Sequence, residues 1–140
     1  MSTTIRMNIL SKYSVLFLCF LFTGCISADE NSFIDTHNQH MFEGVVKENV
    51  GLDANDNSET YSYLSLDHPI NVEKDEFSAE RKGVKNIQIV FLFFDGVKLK
   101  DLKNKTVRIR GTLFHRHSAH HHTDVLLEVM NSTDVIVVKQ

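Results

Sequence analysis

The chain has 140 residues, enough for one small domain and too few for two. When residues 1–24 are set aside as a leader, 13 basic and 18 acidic side chains remain, and the net charge with neutral histidines is −5. Such a charge repels a phosphate backbone, so the composition argues against a nucleic-acid-binding protein.

The first two dozen residues have the order of a secretory signal sequence. Arg6 and Lys12 provide a positive start, the apolar run Val15–Phe22 follows, and small residues close it at 23–25. The run is shorter than the about 20 apolar residues that a membrane-spanning helix needs. We therefore expect residues 1–24 to be a signal peptide and the protein to be exported. An uncleaved membrane anchor is the alternative.

The end of this leader, Leu21–Cys25, resembles the lipobox of bacterial lipoproteins. In that family the cysteine is acylated and becomes the first mature residue. The resemblance implies that Cys25 carries the lipid that anchors the protein on the periplasmic side of a bacterial membrane, although Phe22 stands where leucine is commoner. Cleavage after Ala28 is the competing interpretation and would leave a soluble periplasmic protein.

Cysteine usage decides how the mature domain is stabilised. Cys19 lies in the leader, and Cys25 is the only other cysteine in the chain. The domain therefore has no internal disulfide despite its oxidising destination, and its stability must come from a hydrophobic core.

Residues 25–40 are polar and lack apolar periodicity, which predicts a flexible tether. Residues 41–140 then alternate between apolar and polar side chains as strands do, with Gly44 a candidate for a β-bulge, Pro69 at a strand end or edge, and a long surface loop over 73–84. The predicted strands are Met41–Glu48, Tyr61–Leu66, Asn86–Phe94, Lys105–Phe114, Thr123–Met130 and Val135–Val138, with a short helix through Val97, Leu99 and Leu102.

The order of these elements predicts the fold class. Three strands, a short helix and two strands are the order of a five-stranded Greek-key barrel of the oligonucleotide/oligosaccharide-binding (OB) type. We therefore expect an all-β domain, or β with one short helix, forming a single small barrel over residues 41–140. A β-sandwich is the alternative.

Two predicted strands form a hairpin around a dense histidine motif. Inward rows are expected from Val107, Ile109 and Leu113 on one strand and from Val125, Leu127 and Val129 on the other. Five of the eight histidines of the chain lie between them, at positions 115, 117, 120, 121 and 122. Extending the two rows predicts that His115, His117 and His121 converge at one end of the barrel.

Three converging neutral imidazoles suit zinc, copper(II) or nickel. His120, His122 and Asp124 are further candidate ligands for such an ion. Two other interpretations stay open: the histidines cap the barrel end by hydrogen bonding to loop carbonyls, or they form a pH sensor that gains charge and repels itself in mild acid.

Two segments resemble a known family. The run GTLFHxHxxHHHTxVLL at residues 111–127 is similar to the closing motif of domain-of-unknown-function family 4431, a family of small exported bacterial proteins. The run ETYxxLxLDxPI at residues 59–70 resembles the other recurrent segment of that family. The resemblance implies an exported β-domain without an established activity. Relatives carry a cysteine after Pro-Ile, and Asn71 stands there in this chain, which puts any shared disulfide in doubt.

The sequence contains no nucleophile elbow, no His-Glu-x-x-His motif and no phosphate loop. We therefore expect a non-catalytic binding or interaction module of the cell envelope, whose partner or small ligand is unknown. The alternative is an envelope protein that binds zinc or copper(II) through the cluster His115–His122. An enzyme is left only as a metal-dependent hydrolase.

Overall fold

The computed structural model of the protein describes residues 32–91 and 98–139. The elements within these residues are seven strands, one helix and one 3₁₀ turn. They are β1 (Phe33–Ile34), β2 (Gln39–Leu52), β3 (Ser58–Val72), β4 (Arg81–Phe91), α1 (Leu99–Leu102), β5 (Thr106–His115), β6 (Val125–Val129), the 3₁₀ turn (Ser132–Asp134) and β7 (Val135–Lys139).

Five strands form a ring within one sheet. Their hydrogen-bonded order is β3, β2, β5, β6 and β4, and the pairing of β4 with β3 closes the ring. The pairing of β4 with β6 is parallel, and the other four pairings are antiparallel. Outside the ring, β1 joins β3 and β7 joins β5. The predicted mostly-β fold with one short helix is confirmed.

The inward rows predicted for the hairpin strands are also confirmed. All six of their apolar side chains are fully buried, because alternate residues of a strand point to one face of the sheet. They form a single core with buried side chains from the other ring strands, among them Val46, Leu64 and Ile87. This core fills the ring and fixes which way each residue of β5 and β6 faces.

Several strands extend beyond their predicted bounds. β3 continues through Pro69, because its register with β4 shifts between Ser65 and Ile70, where a residue without a backbone N–H is tolerated. β4 begins at Arg81, inside the predicted loop 73–84, since polar side chains hid its alternation. The last residues of the predicted strand Asn86–Phe94, from 92 on, lie outside the described residues, as does Val97.

The predicted tether, residues 25–40, differs from the structure in its described part. Phe33 and Ile34 pair with the end of β3, and β2 already begins at Gln39. Between them, Asp35 Oδ1 accepts hydrogen bonds from the backbone N–H groups of His37 (2.9 Å) and Asn38 (2.7 Å) and so closes a turn. This segment therefore belongs to the folded domain, while residues 25–31 and the leader, including the proposed lipid site Cys25, lie outside the described residues. Within the part of the chain that the structure describes, no helix has the length and apolar character needed to cross a bilayer.

Gly44 is not a bulge, contrary to the sequence-based expectation. It keeps a regular register with Leu66 on β3 and with Val107 on β5. A Cβ atom at this position would stand 2.3 Å from the Ser65 carbonyl oxygen. The glycine therefore permits a close approach of two strand backbones.

Replacing Gly44 with alanine should lower the free energy of unfolding by about 1–3 kcal/mol, because the new methyl group pushes β3 away from β2. Denaturant unfolding followed by circular dichroism measures the change. Lys47→Ala, on an exposed position of the same strand, is the control and should unfold like the wild type. Equal stability of the Gly44 variant and the control would contradict the close approach.

Candidate functional site

The histidine motif lies at the turn between β5 and β6, as predicted. His115 is the last residue of β5 and pairs with Val125, the first residue of β6. Residues 116–124, called here the histidine loop, join the two strands. The loop is closed by backbone bonds from Arg116 N–H to the Asp124 carbonyl (3.0 Å) and from His121 N–H to the Ser118 carbonyl (3.2 Å).

His115 points into the barrel and is fully buried. Its Nε2 lies 2.6 Å from the Glu73 carbonyl oxygen, which can only accept, so this nitrogen carries the proton. Nδ1 is then a buried lone pair without a hydrogen-bond partner among the described residues. His115 therefore caps one end of the barrel by hydrogen bonding to a loop carbonyl, the contact that the structural-cap interpretation expects of the histidines.

His117 and His121 form a pair on the outer face of the hairpin. Their ring centroids are 4.6 Å apart with an interplanar angle of 87°, and both rings pack against Phe114. Phe77 contacts His117 from a neighbouring loop, with centroids 5.3 Å apart. His117 does not share the inward face of His115, because β5 ends at His115 and the alternation of the strand ends with it.

Backbone hydrogen bonds determine which nitrogens of this pair carry protons. His117 Nδ1 lies 3.0 Å from the His115 carbonyl oxygen and must donate to it. The His117 backbone N–H donates to His121 Nδ1 at 3.2 Å, so the neutral His121 ring is protonated at Nε2. Within the described residues, the neutral pair therefore has one acceptor without a partner, His117 Nε2, and one donor without a partner, His121 Nε2–H.

His120 and His122 bind the carboxylate of Glu59, which follows the β2–β3 turn. His120 Nδ1 lies 2.9 Å from Oε2, and His122 Nε2 lies 2.5 Å from Oε1. The His122 ring also stacks on Tyr61 with centroids 4.6 Å apart. It passes so close to Gly51 that a Cβ atom there would stand 2.3 Å from His122 Nδ1.

The side chain of Gln88 on β4 holds the histidine loop from the same side. Its Nε2 donates to the His120 carbonyl (2.9 Å), and its Oε1 accepts from the His122 backbone N–H (2.6 Å). The Gln88 backbone N–H donates to Thr123 Oγ1 at 2.9 Å. Gln88 is only 8 % exposed, so these bonds are shielded from water and fix the loop.

The three histidines predicted as metal ligands are therefore not brought together. His115 faces the core, His117 and His121 face one side of the loop, and the other predicted candidates, His120 and His122, face Glu59 on a different side. Asp124 is exposed and lies 4.0 Å from Arg81 Nε. Across residues 32–91 and 98–139, no group of three or more His, Cys, Asp and Glu side chains is arranged to hold an ion.

The loop histidines differ in electrostatics because they differ in neighbours. The hydrogen bond between His120 and Glu59 raises the pKa of His120. The hydrogen bonds from His120 and His122 lower the pKa of Glu59. Burial lowers the pKa of His121, and the nearby His117 lowers it further. Acid therefore charges His120 before His121 and strengthens the contact of His120 with Glu59.

His117 and His121 line a groove of about 630 Å³, called here the imidazole groove. Its other walls include the Phe77 and Phe114 rings and the carboxylates of Asp75, Glu76 and Glu128. Burial disfavours the charge of Asp75, but the backbone N–H groups of Phe77, His115 and Ser78 outweigh that effect and keep the Asp75 pKa below its ordinary value. The groove thus combines apolar faces, negative charge, the donor–acceptor pair of His117 and His121, and further polar side chains from Thr36, His37 and Thr112.

The comparison with known families bears on the stretch that carries this site. The sequence model described as "Domain of unknown function (DUF4431)" matches residues 87–133, about a third of the chain. The match supports the family expected from the sequence. The matched stretch contains Gln88, β5, the histidine loop and β6, and excludes Glu59. No curated protein and no solved structure gives a significant match to the chain.

Sequence reasoning missed Glu59, Gln88 and Phe77 as parts of the site. Glu59 and His122 are 63 residues apart in the chain, and Gln88 and His120 are 32 apart. Gln88 interrupts an otherwise apolar run, and this was the one available signal, because a polar side chain in a buried strand needs a hydrogen-bond partner.

Glu59→Gln should lower the His120 pKa toward its ordinary 6.5 and weaken the domain in mild acid. The lowered pKa of Glu59 stabilises the fold at pH values above 4.5, the ordinary pKa of a glutamate. The raised pKa of His120 stabilises the fold at pH values below 6.5, the ordinary pKa of a histidine. The difference in stability between wild type and variant should therefore be largest between pH 4.5 and 6.5. It should shrink as pH falls through the folded pKa of Glu59 or rises through that of His120. NMR titration of the rings and urea unfolding at several pH values measure both effects.

Glu76→Gln, at an exposed carboxylate outside the Glu59 cluster, is the matched control and should leave the His120 titration unchanged. A stability difference between wild type and Glu59→Gln that does not vary with pH would show that the contact carries no charge interaction.

Proposed function

We propose that this protein is a non-catalytic binding module of the bacterial cell envelope, and that the imidazole groove is its ligand site. The observation that carries the proposal is the groove itself. Its volume of about 630 Å³ lies within the range of small-molecule sites, and aromatic walls with a few fixed polar groups are their usual composition.

The strand order supports a barrel of the OB type for this module. The ring has five strands, with α1 between the third and the fourth ring strand. In OB barrels, ligands bind near the loops that join strands 1–2 and 4–5. The corresponding loops here are the β2–β3 turn and the histidine loop, which Glu59 links to each other. This support is an analogy between folds, and the residues of the groove carry the functional argument.

The proposed location in the envelope rests on the leader. The signal-like order of residues 1–24 supports export to the periplasmic side of a bacterial membrane, and the lipobox-like end supports a lipid anchor on Cys25. The absence of cysteines after position 25 suits a domain that is stabilised by its core in an oxidising compartment.

A small ligand of the groove should raise the melting temperature of the full chain, since it binds only the folded state. A set of neutral, cationic and anionic compounds can be tested by thermal shift. Phe77→Ala removes an exposed wall of the groove and should weaken each hit roughly tenfold, which is about 1.4 kcal/mol. Val50→Ala changes a similarly exposed apolar residue that does not line the groove and should leave the hits intact. If no compound in the set raises the melting temperature, the proposal is wrong.

The second candidate function is transition-metal binding in the envelope. It is favoured by the contact between the His117 and His121 rings. Against it, the His117 backbone N–H occupies His121 Nδ1, so ligation through His121 Nε2 would require Nε2 to lose its proton. Titrating zinc and copper(II) into the full chain tests it by melting temperature. Under this candidate the ion raises the melting temperature and His117→Ala abolishes the increase. If micromolar metal does not shift the melting temperature, this candidate is wrong. If the shift survives the substitution, the ion binds elsewhere.

A further inference from the structure

The imidazole groove carries information about the chemistry of its ligand, because the backbone sets the protonation of His117 and His121, two of the three histidines that line it. His117 donates from Nδ1 to a carbonyl, which leaves Nε2 as an acceptor. His121 accepts at Nδ1 from a backbone N–H, which leaves Nε2–H as a donor. The centroids of the two rings are 4.6 Å apart, so the acceptor and the donor belong to neighbouring rings.

We infer that the groove recognises a neutral, hydroxyl-bearing ligand of saccharide type through this donor–acceptor pair. The inference rests on the proposed function and names the ligand class of the same site. A hydroxyl group both donates and accepts hydrogen bonds, so adjacent hydroxyls on a sugar ring satisfy both imidazoles at once.

Charged ligands fit the pair less well. The groove carboxylates would attract an ammonium group, but such a group has donors only, so it would satisfy His117 and leave the His121 N–H without a partner. A carboxylate or phosphate would satisfy His121 and leave His117 unpaired. It would also face Asp75, Glu76 and Glu128, all of which line the groove.

The aromatic walls match the remaining surface of a sugar. Phe77 is 64 % exposed, and the Phe114 ring packs beside both imidazoles. The C–H face of a sugar ring is apolar, and covering it with an aromatic ring removes apolar area of both partners from water.

The opposite side of the histidine loop keeps the pair in place before any ligand arrives. Gln88 binds the loop backbone at His120 and His122, and Glu59 binds the rings of the same two residues. His121 lies between these fixed points in the chain. A ligand that binds a preformed pair loses less free energy to ordering the loop.

Three matched probes test the inference by titration into the full chain: N-acetylglucosamine, which is neutral, glucosamine, which is a cation, and glucuronate, which is an anion. We expect N-acetylglucosamine to bind at least tenfold more tightly than either charged sugar at a pH where the histidines are neutral. Ring ¹⁵N spectra of the wild type should show His117 protonated at Nδ1 and His121 at Nε2, and saturation should shift these two rings and leave His120 unchanged.

His121→Phe keeps an aromatic ring and removes the donor, so it should weaken N-acetylglucosamine binding at least tenfold. His68→Phe, at an exposed histidine of β3 that neither lines the groove nor holds the histidine loop, is the matched control. Tighter binding of glucosamine or glucuronate, or the opposite tautomer at His121, would overturn the inference. If none of the three sugars binds while other compounds raise the melting temperature through Phe77, the ligand class is wrong and the proposed function stands.

Discussion

The parallel pairing of β4 with β6 is the contact on which the rest of the structure depends. In chain order, β4 and β6 are the third and fifth strands of the ring. Their pairing, together with that of β3 with β4, makes a closed barrel from an open sheet. Closure buries the inward rows of all five strands in one core, which a domain without disulfides needs. The same register pairs Gln88 with Leu126 and so brings a buried amide to the base of the histidine loop.

Five chemically identical side chains acquire three different roles from this arrangement. His115 lies on the inward row of β5 and seals the core, with one nitrogen bonded to a carbonyl and the other buried. His120 and His122 join the loop to Glu59 and act as structural anchors. Only His117 and His121 are left facing an accessible groove. The density of histidines is therefore not the property of a single site, because the chain reverses direction within the motif and sends neighbouring rings to different sides.

The anchors and the groove lie on different sides of one short loop, and this has a chemical consequence. Glu59 and Gln88 hold the loop from the barrel side, so the rings on the groove side do not have to provide the interactions that order it. His117 and His121 each use one nitrogen for a backbone bond, and under the proposed function the other nitrogen serves the ligand. Under the proposed function, a donor and an acceptor beside two aromatic rings favour recognition by hydrogen bonding and packing over recognition by charge.

Alternation in the sequence was sufficient to predict the β5–β6 hairpin, its inward rows, the inward direction of His115 and the mostly-β fold. Strand faces follow from local periodicity, and the two strands adjoin in the chain. The predicted convergence of His115, His117 and His121 failed, since the two-residue period ends with the strand at His115 and says nothing about a loop. Glu59 and Gln88 were beyond sequence reasoning for a related reason: they meet the loop only after β2, β3 and β4 have closed around the core.

The local pattern determined which way each strand residue faces. Which distant side chains met at the loop was decided by the closure of the ring, because hydrogen bonds between residues 32 and 63 positions apart depend on tertiary packing and leave no period in the chain.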